Sequence, residues 1–208
     1  MDRISMWQLF LAGGPVMWPI LLCSVLALAI TVERLRYLGR IRAGTQGLLQ
    51  NILDNVKRHQ IKEALQVCEN NLSPLSRILK AGTLKYDRTR EQIKEAIADA
   101  SLYEIPRLEK NLPALATIAQ ITPLLGFLGT VMGMIKLFQA VQAKSAAMYP
   151  IPAADLAAGI WEALIATVAG LIVAIPAFAA YNYLAGRINS FILEMEKSAT
   201  ELVNFLTE

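Results

Sequence analysis

The stretch GIWEALIATVAGLIVAIPAFAAYN, residues 159–182, decides the fold. Its single formal charge is Glu162, and the charge-free run from Ala163 to Gly186 exceeds the roughly 20 apolar residues a helix needs to cross about 30 Å of hydrocarbon. Two more stretches share that property, Ile4 to Val32 and Asn111 to Ile135. The composition agrees: 55% of residues are hydrophobic, 18% are charged and the mean hydropathy is +0.42, which is too apolar for a soluble domain of this length. Spans are therefore predicted near residues 15–33, 113–141 and 156–185. No strand alternation occurs anywhere, so the predicted fold is all-α, an integral membrane protein with three transmembrane helices extending into a cytoplasmic helical domain.

Arg34, Arg36, Arg40 and Arg42 follow the first span, whereas only Arg3 precedes it. Basic residues stay on the cytoplasmic side, which predicts an external N-terminus and a cytoplasmic C-terminus. The expected organisation is residues 1–33 as the external N-terminus with the first span, 34–112 as a cytoplasmic helical domain, 113–141 as the second span, 142–155 as an external loop, 156–185 as the third span and 186–208 as a cytoplasmic tail. The positive charges come after the first apolar core, not before it, so that span reads as an anchor and not a cleaved signal peptide.

Between Glu33 and Lys110, 15 Lys and Arg minus 10 Asp and Glu leave a surplus of +5. That surplus is the ordinary signature of a face turned to anionic lipid, and no aromatic-interleaved basic stretch points to nucleic acid. The block reads as helix. Leu48, Leu49, Ile52, Leu53 and Val56 recur at helical spacing, as do Leu75, Ile78, Leu79 and Gly82. Ser73 before Pro74 is an N-cap with Pro in the first turn, and a further helix starts near Thr89 with Ile93, Ala96, Ile97 and Ala100 on one stripe. It is too short for an enzyme domain with a pocket of its own.

Chemistry-bearing motifs are absent. No Walker sequence, dinucleotide fingerprint, nucleophile elbow or zinc spacing occurs. Neither an enzyme nor a metal or organic cofactor is expected, and the coupling ion is expected to be the proton. Cys23 and Cys68 lie at different levels and read as packing residues, and His59 reads as a solvated residue on a polar helix. Gly126, Gly129 and Gly133 superficially resemble a glycine-rich loop, but they sit inside an apolar span, where helix packing accounts for them better.

The second and third spans carry the physics. Gly159, Ala163, Ala166, Gly170, Ala174 and Ala177 recur at steps of 4, 3, 4, 4 and 3, a small-residue stripe of the kind that lets helix backbones approach closely in lipid. On the second span Ala119, Pro123, Gly126, Thr130, Gly133 and Leu137 form a similar stripe. Counting at roughly 1.5 Å per residue puts Thr130 and Thr167 at one level in the outer half of the membrane, with Glu162 further out. Each Thr has two readings: a bond to its own i−4 carbonyl, or a polar pore lining. Glu162 also has two: a group handling protons or ions, or an interfacial partner of Lys136 or Lys144.

TPLLGFLGTVMGM (residues 122–134), together with residues 159–182, resembles the core signature of the proton-channel subunits of the ExbB, TolQ and MotA superfamily. Three spans with a large first cytoplasmic loop resemble the ExbB and TolQ branches more than the four-helix MotA branch. The resemblance implies a homopentamer in a bacterial inner membrane, with the second and third helices ringing a pore. That pore would hold single transmembrane helices of an ExbD- or TolR-like partner. It further implies that Thr130, Thr167 and Glu162 belong to the proton pathway and that a TonB- or TolA-like protein is energised. A passive membrane scaffold is the reading of a different class.

Overall fold

The computed structural model describes residues 6–45, 47–146 and 153–207, and among them there is helix and turn but no strand. Three helices are long and apolar enough to cross a membrane. The protein is an all-α, multi-pass integral membrane protein. The external loop expected at 142–155 falls partly outside the described residues. The chain forms two compact units, Met1–Thr31 with Leu112–Asn182 and Val32–Asn111 with Tyr183–Glu208.

The first unit opens with a short helix the sequence reading did not anticipate, α1 (Met6–Ala12). It ends in a turn where Gly14 takes φ +74°, a left-handed conformation that costs glycine nothing. Pro19 then sits in the first turn of α2 (Met17–Thr45), where no intrahelical donor is needed. The other two elements are α7 (Leu112–Ala146) and the membrane part of α8 (Ala153–Thr207). Both carry an interior proline, Pro123 and Pro176, as expected of membrane helices whose surroundings re-satisfy the freed groups.

The first and third helices extend beyond their spans, as the sequence predicts: α2 continues past residue 33 to Thr45, and α8 past 185 to Thr207. Neither extension contains a proline, so nothing local ends the helix.

The second unit is built by α3 (Leu48–Lys57), α4 (Ile61–Asn70), α5 (Pro74–Thr83) and α6 (Arg90–Glu109) with the ends of α2 and α8. Its core is the predicted stripe residues: Leu48, Ile52, Leu53, Val56, Leu75, Ile78, Leu79, Ile93 and Ile97 are all buried. Ser73 caps α5 by accepting from the Ser76 N–H, and Thr89 and Gln92 close a capping box on α6. The buried Glu104 carboxylate is held by Arg77 at 2.8 Å and Arg107 at 2.7 Å, which compensates its charge. His59 is exposed but lies past the end of α3 at φ 57°, in the turn to α4 and not on the helix. Cys23 and Cys68 are both free and buried.

Candidate functional site

Small residues bring α7 and α8 of one chain into close antiparallel contact. A Cβ added at Gly170 would sit 2.9 Å from the Thr122 carbonyl oxygen and 3.0 Å from the Gly126 Cα; one at Gly133 would sit 3.0 Å from the Ala163 Cβ, and one at Gly159 would sit 2.9 Å from the Leu137 Cβ. Gly126 and Gly129 face Ala166 in the same way. Ala163, Ala166, Ala174 and Ala177 are all buried along this line. From Ala119 onward the buried positions described on α7 are Ala119, Thr122, Gly126, Gly129, Gly133 and Leu137, so Thr122 and Gly129 take the places that the expected stripe assigned to Pro123 and Thr130. That rotation leaves Thr130 half-buried at the edge of the seam.

At that edge the two hydroxyls meet. Thr130 Oγ1 and Thr167 Oγ1 are 2.8 Å apart, and both lie within reach of the Gly126 carbonyl oxygen, at 3.3 and 3.2 Å. Thr167 Oγ1 is also 3.4 Å from its own i−4 carbonyl at Ala163. Each hydroxyl has one proton, so one Thr donates to the other and the second donates to a carbonyl. Reversing both donors gives a second pattern with the same partners, because Gly126 serves either hydroxyl. The carbonyl bonds are long and hence weak, which makes them easy to exchange.

Glu162 does not join this pair. Its carboxylate lies 2.5 Å from Lys136 Nζ, so the interfacial partner weighed from sequence is the group the structure sets beside it. The Glu162 carboxylate also abuts Gly14, where an added Cβ would strike Oε1. Helix geometry explains the separation: at roughly 100° per residue, Thr167 falls about 60° to one side of the α8 seam line and Glu162 about 80° to the other. On α7, Thr130 and Lys136 fall roughly 60° to either side by the same count. The two polar pairs thus occupy opposite flanks of one seam. The Gly13–Val16 turn lies on the Glu162 flank, with Gly14 against Glu162 and Gly13 close to Ile165.

Gly14 is the site-region residue the sequence reading left without a role, whereas Lys136 was weighed there as a partner of Glu162. Lys136 had a signal, since it is the only charge between Lys110 and Lys144. No group of three or more His, Cys, Asp or Glu that could hold a metal ion exists among the described residues.

Comparison with known proteins gives the family. The profile of the MotA/TolQ/ExbB proton channel family matches residues 70–197. The chain is 30% identical over 192 residues to a biopolymer transport ExbB homolog of Methanothermobacter thermautotrophicus, covering 91% of this chain and 66% of that relative's length. It is 30% identical to a biopolymer transport ExbB-like protein of Synechocystis sp., covering 79% of this chain and 78% of the relative. It is 31% identical to the Tol-Pal system protein TolQ of Haemophilus influenzae, covering 80% of this chain and 76% of the relative. The chain belongs to the MotA/TolQ/ExbB proton channel family.

Proposed function

We propose that the chain is the pore-forming stator subunit of a proton-driven motor in a bacterial inner membrane, with its N-terminus outside and its C-terminus in the cytoplasm. It works as a homopentamer around the single spans of an ExbD- or TolR-like partner. The observation that carries the reading is the hydroxyl pair of Thr130 and Thr167, 2.8 Å apart at the edge of a charge-free helix seam. No Asp, Glu or His lies near the middle of α7 or of the span of α8. A partner helix therefore supplies the carboxylate that titrates. The hydroxyl proton that rests on the Gly126 carbonyl turns toward that carboxylate when it is charged, and a hydroxyl oxygen accepts from it when it is protonated. A proton moving down the membrane potential releases about 2.3 kcal/mol per 100 mV, enough to bias the carboxylate between its two states.

Large apolar side chains exposed on the single chain support a ring of copies in lipid, among them Leu124, Phe127 and Phe138 on α7 and Val168, Ile172 and Ile175 on α8. We assign the ExbB-like role, energising TonB-dependent transport across an outer membrane, because relatives named as biopolymer transport proteins favour it. The relative named TolQ supports a second reading, envelope integrity through a TolA-like protein. Deleting the gene in its own host separates them: the first predicts loss of energy-dependent uptake with an intact envelope, the second a leaky, detergent-sensitive envelope with uptake retained.

A further inference from the structure

Between Lys110 and Lys144 the only charge is Lys136, and between Asp155 and Arg187 the only charge is Glu162. The structure pairs these two across the α7 and α8 seam at 2.5 Å. The Glu162 carboxyl side chain is 25% exposed and the Lys136 side chain 48%. Gly14 closes the arrangement from a third element: its left-handed φ and the absence of a Cβ let the α1–α2 turn lie directly on the carboxylate. Each observation is independent of the hydroxyl pair, which sits on the other flank.

We propose that Lys136 is a positioning residue, and that Glu162 serves the motor as the fixed anion of a Lys136–Glu162 pair seating the α1–α2 turn against α7 and α8, not as a proton carrier. A carboxylate alone at this depth is costly and so is an ammonium alone, whereas the pair is neutral as a whole. The Lys136 ammonium donates to Oε1 of the carboxylate, and Gly14 lies against the same oxygen, so the pair and the turn meet at one atom. A route from outside to the Thr130 and Thr167 hydroxyls through Glu162 would have to cross the packed seam, where Gly129, Gly133, Ala163 and Ala166 are buried. The pair holds the frame on one flank while protons move on the other. This rests on the stator reading above for the activity it is measured by.

The test compares Lys136→Met, Glu162→Gln and the double variant in the complete complex, reading proton-driven uptake and subunit abundance together. Each single variant strands one charge and should lower uptake about tenfold, whereas the double variant strands none and should return to within about threefold of wild type. Lys136→Arg, which keeps the charge, should stay close to wild type. If the single variants fail to accumulate, abundance carries the same comparison, and the double variant should restore it. A double variant as impaired as Glu162→Gln overturns the proposal, because Glu162 would then be needed for its own proton. A fully active Lys136→Met variant overturns it too. Thr167→Val, run in parallel, keeps the two readings separate: wild-type uptake there defeats the hydroxyl pathway, while rescue by the double neutral variant still stands for the pair.

Discussion

Thr130 and Thr167 come from helices 37 positions apart in sequence, yet their hydroxyl oxygens lie 2.8 Å from each other and share the Gly126 carbonyl as an acceptor. That sharing makes the pair a two-state donor chain without any titrating group. A hydroxyl can switch its proton between oxygen acceptors at low cost, which suits the proposed service to both the charged and the neutral form of a partner carboxyl group.

Removing one hydroxyl should therefore impair function while leaving packing intact. Thr167→Val keeps the shape, and losing a hydrogen bond to a charged group costs about 1.5–3 kcal/mol, or on the order of ten- to a hundredfold in rate if that step limits. Thr167→Ser retains the hydroxyl and should be the mildest change. Energy-dependent uptake measured beside pentamer yield checks both, and wild-type uptake by Thr167→Val at wild-type abundance would reduce Thr167 to a packing residue.

The small-residue stripe makes a prediction about the fold of the single chain. Because the Gly170 seam joins α7 and α8 of one subunit, Gly170→Leu should cost folded monomer before it costs assembly. Gly186→Ala is the control: nothing lies within 4 Å of a Cβ there, so replacing a helical glycine should be neutral or stabilising by about 0.5–1 kcal/mol. Thermal unfolding in mild detergent with native mass spectrometry separates the outcomes. Gly170→Leu subunits that fold normally but fail to assemble would place the stripe at the subunit interface instead.

How far such features were legible from residues alone follows from this seam. The spacing of Gly159, Ala163, Ala166 and Gly170 announces a helix contact, but a stripe carries no label for the helix it meets, so sequence could not say that α7 of the same chain fills it. The level of Thr130 and Thr167 followed from counting at a fixed rise per residue. Which flank each polar residue takes depends on the exact buried face of α7, and the shift from Pro123 and Thr130 to Thr122 and Gly129 moved that face by part of a turn. Glu162 consequently meets Lys136 and not the hydroxyls. That membrane helices extend into the cytoplasmic domain was legible, but not that α8 runs to Thr207, because hydropathy marks where apolar residues stop, not where a helix stops.

In the second unit, the buried Glu104 carboxylate is the charge whose loss should be felt most. Glu104→Gln removes the negative charge and turns one of the two acceptor oxygens toward Arg77 and Arg107 into an amide donor, but both arginine side chains reach solvent, at 45% and 60% exposure, so the expected loss is about 1–3 kcal/mol and not the full penalty of a buried ion. Arg107→Ala removes the more exposed partner and should cost under about 1 kcal/mol. Denaturant or thermal unfolding of the purified variants checks the order, and an Arg107→Ala loss exceeding that of Glu104→Gln would contradict it.

Cys68 gives a pH-dependent prediction. Burial pushes its thiol up to about 11, with the Lys80 ammonium pulling it partly back and Glu69 adding to the rise. Below the free-thiol value of about 8.5 both folded and unfolded chains keep the proton, and between that value and about 11 only the unfolded chain ionises, so stability falls as pH rises through this window. In a Cys23→Ala background, Cys68 should react with a maleimide at pH 8 on the order of a hundredfold more slowly than a free thiol. Labelling at the free-thiol rate by a folded protein would show that the thiol is neither buried nor shifted.

The central claim is that this chain shapes and lines a proton path but needs a titrating carboxylate from a partner helix. Proton flux into liposomes under an imposed membrane potential tests it most directly, comparing the purified chain alone with the chain co-reconstituted with a single-span ExbD- or TolR-like partner. The account predicts flux near background for the chain alone, flux well above it with the partner, and a return toward background when Thr167→Val is combined with that partner. Equal flux with and without the partner would contradict it.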